Sequence, residues 1–353
     1  MLACMHFMQV VQRKAVDMVI SMKEYINWGM IGCGDVTEVK NGPGLYQAEH
    51  SSLLGITKRT RSKDESWVER HGAGKVYDSV EELLSDPEID IVYIATTPDC
   101  HKDLAIACAE AGKHCYVEKP IALSYEEAEE IQRAFEKSGT KIFVAHYRRG
   151  MSRYRKIKRL LEEGAIGKVR GMQMLRTQKQ TEQDRLPDDQ KPWRLRSNVS
   201  GGGYFFETEI HMLDLIDFLV GAPAEFTLVQ SNETGYYEAA DTVSLSLKTE
   251  TGVMVSGLWC YATDVEQDRT VIYGDKGAIS YQYSFNDGPI RLETADGIQE
   301  FTPFLHPNVG TEQIQDIVND LLGKGSCSST LEAAMRALKI TDTAEKQWRS
   351  RKR

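Results

Sequence analysis

The sequence predicts two domains in series: an α/β domain on a parallel sheet with helices on both faces, then an α+β domain with an open, mostly antiparallel sheet. Three observations carry this. From residue 25 to 147, apolar runs of strand length alternate with helix-compatible segments, a pattern that calls for parallel strands joined by crossovers. From residue 168 on, alternating segments follow one another at short spacing, set off by turn residues such as Thr251-Gly252 and Gly274-Asp275-Lys276-Gly277, which favours antiparallel neighbours. Finally, 353 residues exceed what a single ordinary core supports. The expected division is an N-terminal extension, expected to be disordered, over 1–24, a first domain over 25–147, a second over 148–347 and a basic tail over 348–353.

Within the first domain, residues 26–31 suit a buried strand and run into Gly32-Cys33-Gly34. Asn41-Gly42-Pro43-Gly44 punctuates a loop. A second strand is expected over 52–57, a helix over 62–70, and a short helix from 79 to 84 with Ser79 as cap and Glu82 completing a capping box. Strands over 90–95, 114–117 and 141–145 alternate with helices over 99–111, ended by Gly112, and 125–137, ended by Gly139. In the second domain a helix over 151–163 stops at Gly164. Strands follow over 168–177, 225–232, 241–248, 252–261, 269–273 and 278–283. A helix over 204–220, ended by Gly221, precedes most of them, and helices over 311–322 and 330–347 close the pattern.

Bulk composition narrows the function classes. Hydrophobic content of 41% and charged content of 27% are those of a soluble globular protein. A formal charge of −9 argues against a nucleic-acid surface, and the basic end reads as a solvated tail. Seven scattered cysteines, an odd number without a Cys-x-x-Cys pair, suggest neither a disulfide framework nor a cysteine zinc site, and fit a reducing cytoplasm. No apolar run reaches the length of a membrane span. Charges at Arg13, Lys14 and Asp17 break up the first 24 residues, so a signal peptide is not expected, and Met22 is the expected native start.

The chemistry-bearing residues cluster at strand ends, where open parallel sheets bind ligands. Strand, Gly32-Cys33-Gly34 and then a helix starting with Asp35 and Val36 form the opening of a dinucleotide-binding unit of the Rossmann type. Gly32 makes the tight turn and Gly34 lets a pyrophosphate approach bare backbone at a helix N-terminus, although the third fingerprint position is Thr37. The alternative is a plain strand-to-helix turn. Lys58-Arg59 follows the second strand, where an acidic residue would grip a ribose 2′-hydroxyl and a basic one a 2′-phosphate, so the pair points to NADP over NAD. Thr96-Thr97-Pro98 can offer hydroxyl and backbone donors, or simply be a turn and helix cap. In Glu118-Lys119-Pro120, Lys119 is a candidate proton donor at a cofactor crevice. In the second domain Gly201-Gly202-Gly203 supplies backbone that can approach a ligand. Beyond it Glu207, His211 and Asp214 recur at i, i+4 and i+7 on one helix face, opposite Leu213, Ile216 and Val220. No third ligand at suggestive spacing accompanies them, so no metal is expected.

Four motifs in order, namely Gly32-Cys33-Gly34, Ala95-Thr96-Thr97-Pro98 with His101, Glu118-Lys119-Pro120, and Gly201-Gly202-Gly203 leading to His211, make the sequence resemble the Gfo/Idh/MocA oxidoreductases over about residues 25–347. The resemblance implies a Rossmann domain plus an α/β domain whose open sheet often mediates dimer contacts. It implies that Lys119 and His211 are catalytic and touch substrate, with Glu207 at the position of the family's usual Asp. It further implies that His101 and Glu118 belong to the cofactor site, that Trp193-Arg194 lies by cofactor and active site, and that Tyr147 lines the substrate pocket. Glu209 stands where the family typically has Gly and adds a negative charge near that pocket. Together with the Lys58-Arg59 pair, the resemblance implies NADP-preferring hydride transfer to or from a sugar, cyclitol or related polyol or ketose, in a homodimer or homotetramer. Alternatives within the same fold are a dihydrodiol or D-xylose dehydrogenase, an NAD-dependent glycosidase and a non-catalytic NADP-sensing regulator.

Overall fold

The computed structural model describes residues 23–57, 61–72, 74–283 and 288–351, with backbone only for 61–64. The expected extension up to residue 22, the Lys58-Arg59 pair and the last two residues of the tail lie outside the described residues. The chain divides into two compact units. The first runs to Ala122 and adds Glu126–Gly150 and His306–Leu331; the second takes Leu123–Tyr125, Met151–Leu305 and the chain from Glu332 on.

The first unit holds a six-stranded, all-parallel sheet: β1 (Ile26–Ile31), β2 (Ser51–Thr57), β3 (Lys75–Val76), β4 (Ile91–Ile94), β5 (His114–Val117) and β6 (Ile142–Val144), in the order β3-β2-β1-β4-β5-β6. Every residue of β4, β5 and β6 is buried, as strands covered on both faces require. Strand order reverses between β1 and β4, so the loops leaving these two strands diverge and open a crevice at their carboxyl ends. The two-residue β3 at the sheet edge was not expected, being too short to carry a period. The helix Val80–Ser85 is capped as expected, Ser79 accepting the amide of Glu82 at 3.1 Å. Glu82 reaches back to the amide of Asp78 at 2.6 Å, one residue earlier than a strict capping box.

The helix Thr311–Leu321 belongs to this unit. Its Ile314, Ile317, Val318 and Leu321 join Ile26, Trp28, Met30, Tyr93 and Tyr116 in one buried cluster. Gly44, at the start of the short helix Gly44–Gln47, makes room for it: a Cβ there would lie 2.6 Å from Ile314 Cδ1.

The second unit is built on an eight-stranded sheet. Its members are β7 (Val169–Lys179), β8 (Pro223–Ser231), β9 (Thr242–Thr249), β10 (Met254–Thr263), β11 (Gln267–Gly274), β12 (Gly277–Tyr281), β13 (Ile290–Thr294) and β14 (Gly297–Phe301), in the order β14-β13-β12-β11-β7-β10-β9-β8. Only the β7–β10 pair is parallel. Alternation sorts Val243, Leu245, Leu247, Val255 and Trp259 to a buried face and Ser244, Ser246, Lys248, Ser256 and Leu258 to an open one. The last two strands were not expected from the sequence.

The helix expected over 204–220 is two helices, Gly203–Glu207 and Ile210–Val220, broken at Thr208 and Glu209. Glu207 therefore does not share a continuous helix face with His211 and Asp214, and that i, i+4, i+7 reading is corrected. Nor does the second helix have a solvent face opposite Leu213, Ile216 and Val220. Ten of its eleven residues are buried, as expected of a helix apolar all round.

Candidate active site

In the first unit the site grows from the turn after β1. Gly32 has φ +94°, and a Cβ there would lie 2.7 Å from the carbonyl oxygen of Ala95, so only glycine lets the loops after β1 and β4 touch. An added Cβ at Gly34 meets nothing within 4 Å, leaving open space over that backbone. Thr37, in the third fingerprint position, is fully buried, and its hydroxyl donates to the carbonyl of Gly34 at 2.7 Å. The departure from Gly or Ala is thus absorbed by a hydrogen bond that closes the turn. The helix it opens is short, Asp35–Val39.

Behind the turn lies a polar network. Glu118, at the end of β5, is buried, and its Oε1 accepts from Asn41 Nδ2 and from the Tyr93 hydroxyl, both at 2.6 Å. Asn41 Nδ2 also donates to the Tyr93 phenol oxygen at 3.0 Å. Burial raises the pKa of Glu118 against the opposing pull of its donors and of Lys119. Burial, reinforced by the Glu118 charge, pushes the Tyr93 phenol well above its usual range. The network ties the loop after the Gly-rich turn to β4 and to the strand end that carries Lys119, which is itself half-buried.

His101 makes the second tie. It is fully buried, with Nδ1 2.8 Å from the Pro120 carbonyl and Nε2 3.1 Å from the Thr96 carbonyl. Burial lowers its pKa although both carbonyls favour the charged ring. A neutral ring donates to only one of them at a time. Its ring nitrogens therefore join the Thr96-Thr97-Pro98 turn to Lys119-Pro120. Tyr147, just beyond β6, is buried, and its hydroxyl accepts from Arg148 Nη1 at 2.8 Å.

In the second unit Trp193, Arg194 and Glu207 come together. The Arg194 guanidinium lies 4.7 Å from the centre of the Trp193 ring, and its Nε is 3.6 Å from Glu207 Oε2. Glu207 also accepts from the Thr208 hydroxyl at 3.0 Å, and Glu207, His211 and Asp214 are all buried. The glycines ahead of them serve the chain's own packing. Gly201 has φ +96°, and a Cβ there would lie 2.3 Å from the ring of Phe206; at Gly202 one would lie 2.8 Å from a Glu345 carboxylate oxygen. Glu209 is fully buried and paired with Arg176 Nη1 at 2.7 Å, so its charge is balanced within this unit.

Sequence reasoning missed Asn41, Tyr93 and Arg176. Asn41 sits in loop punctuation and Tyr93 within a plain apolar strand, so neither stands out in the sequence. Arg176 did leave a signal: it falls in phase with buried Met172 and Met174 on β7, and a charge in the inward register asks for a buried partner.

A parallel sheet in this strand order, with a glycine turn opening onto bare backbone at its switch point, defines a dinucleotide-binding domain of the Rossmann class. Family models identify it further. The model described as an oxidoreductase family with an NAD-binding Rossmann fold matches residues 26–146, and the GFO/IDH/MocA C-terminal domain matches 154–280. Oxidoreductase P35 of Formosa agariphila is 33% identical over 325 residues, covering 91% of this chain and 98% of the relative. The chain belongs to the Gfo/Idh/MocA oxidoreductase family. It is also similar to 1,5-anhydro-D-fructose reductase of Ensifer adhaerens, 25% identical over 310 residues and covering 86% and 91% of the two chains. Among solved structures, a levoglucosan dehydrogenase in complex with NADH and levoglucosan superposes with a TM-score of 0.81 at 21% identity, over 92% of this chain and 97% of that one.

Proposed function

We propose that the protein is an NADP-preferring oxidoreductase acting on a sugar, cyclitol or related polyol or ketose. The single observation that carries the reading is the junction at the strand ends of the first unit. There the Gly32–Gly34 turn, the Thr96 turn and Glu118-Lys119-Pro120 are held to one another by close backbone approach, the Glu118 network and His101. That junction fits a nicotinamide dinucleotide, because the open backbone at Gly34 suits a pyrophosphate. When bound, the nicotinamide accepts or returns the hydride.

The chain's own residues supply the rest. Lys119 or His211 exchanges the proton of the substrate hydroxyl, so that free alkoxide does not accumulate. Arg194 stacks on Trp193 and pairs with the buried Glu207 carboxylate. Tyr147 contributes to the substrate pocket, and Lys58-Arg59 grips the 2′-phosphate. The sugar chemistry of the named relative supports the substrate class. No helix among the described residues is long and apolar enough to cross a membrane, and none of the six described cysteines is in a disulfide, which supports a cytoplasmic setting. The open face of the second sheet supports assembly into a homodimer or homotetramer.

The test is a panel of polyols and ketoses assayed at the reduced-nicotinamide absorbance band with NADP and NAD in parallel. Turnover with a polyol and NADP is expected. Normal cofactor binding without turnover of any polyol or ketose overturns the enzymatic reading in favour of a cofactor sensor.

A further inference from the structure

We propose that Arg176 and Glu209 are a positioning couple that fixes the break ahead of the helix Ile210–Val220 and thereby aims His211. The inference rests on the polyol-oxidoreductase reading for its kinetic consequence, but its geometry stands on the second unit alone. Glu209 does two things at once. Its carbonyl accepts the amides of Met212 at 2.8 Å and Leu213 at 3.0 Å, so it starts the helix on which His211 is the second residue. Its side chain leaves the helix axis for β7, where Arg176 Nη1 meets Oε1 at 2.7 Å. Arg176 is held in turn by Gln178 Oε1 at 3.2 Å. The buried Tyr261 hydroxyl on β10 faces the same pair.

The segment before the break is pinned as well. Tyr204 donates to the buried Asp184 at 2.8 Å, and its ring centre lies 5.1 Å from that of Tyr261. Both sides of the break are therefore anchored, and the sequence has no Gly or Pro at 208–209 that would break the helix unaided. A buried ion pair is a poor way to gain stability, since apolar groups of equal volume do as well or better; what it specifies is one arrangement. Here that arrangement is the path of the chain two residues before His211.

The experiment uses the full-length protein with Glu209→Gln, Arg176→Met and the double variant R176M/E209M, which keeps side-chain volume should either single variant misfold. Four readouts are taken: the steady-state kcat and KM on the polyol that the wild type turns over, the dissociation constant of NADPH, the ring-nitrogen resonances of His211 in histidine-labelled protein, assigned with His211→Asn, and the thermal midpoint. Glu209→Gln is expected to lower kcat by about tenfold or more, as a small misplacement of a reacting group does, while NADPH affinity holds within about twofold. The His211 resonances move in all three variants, and Glu163→Gln, exposed just beyond the helix Ser152–Glu162, moves none of these readouts. A lower thermal midpoint with unchanged kcat and unchanged His211 resonances overturns the proposal and leaves the pair merely structural. Should the wild type turn over no polyol, the functional reading falls, and the His211 resonances alone decide the positioning role.

Discussion

The phenol of Tyr93 donates to the carboxylate of Glu118 at 2.6 Å, across two adjacent strands of a sheet buried on both faces. Tyr93→Phe removes that donor and leaves the carboxylate with Asn41 alone. Loss of a hydrogen bond to a buried carboxyl group costs about 1–3 kcal/mol. The thermal midpoint should fall by a few degrees, and kcat should fall with it, because Glu118 precedes Lys119. Thermal unfolding and steady-state kinetics check both. A midpoint unchanged from wild type means the network does not hold the strand ends.

Lys119 is the residue on which the proposed chemistry leans most. Lys119→Ala should reduce kcat by about 10²–10⁴-fold, the range for removing a general acid or base. NADPH affinity should stay near that of the wild type, since the glycine turn and the Glu118 network remain. Stopped-flow hydride transfer and fluorescence titration of NADPH separate the two effects. Unchanged turnover would sink the assignment of Lys119.

The proposed preference for NADP rests on Lys58 and Arg59, which follow β2 in the sequence, where such folds read a ribose 2′ substituent. Arg59→Asp replaces a cation suited to a 2′-phosphate with an anion suited to a 2′-hydroxyl. The ratio of kcat/KM for NADP over NAD should fall by about 10–100-fold, the scale of one or two charge-assisted hydrogen bonds. The same ratio in variant and wild type would remove the basis for NADP.

Much of the fold was legible because the first unit's strands are unbroken apolar runs and the second unit's alternate in register. What escaped was set by distant parts of the chain. Nothing local in Thr311–Leu321 says that Ile314 and Val318 pack beside β1 and β4; it reads as any amphipathic helix. The break at 208–209 escaped for the same reason. Residues 203–220 carry helix-compatible residues throughout, and the pull that interrupts them comes from Arg176, more than thirty positions earlier. At the site, motif residues were legible because their chemistry needs particular side chains at strand ends. Their supports were not, since a Tyr or Asn that braces a carboxylate has no fixed spacing from it.

His114, the first residue of β5, carries a pH dependence whose sign follows from its surroundings. The ring is 3% exposed, and its Nδ1 accepts the backbone N–H of Lys141 at 2.9 Å, a bond that only an unprotonated nitrogen can accept. Burial, together with the nearby Lys141 charge and against the weaker pull of Asp320, lowers its pKa from 6.5 to about 4. The unfolded chain therefore takes up a proton near 6.5 while the folded protein refuses it until about 4. The stabilisation is complete above 6.5, declines as pH falls through that window, and is exhausted below about 4. At 1.36 kcal/mol per pKa unit the whole window is worth roughly 3 kcal/mol. Thermal midpoints of the wild type and of His114→Gln, measured across the window, should converge as pH falls, because only the wild type loses this contribution. Parallel profiles would show that His114 is not the titrating group.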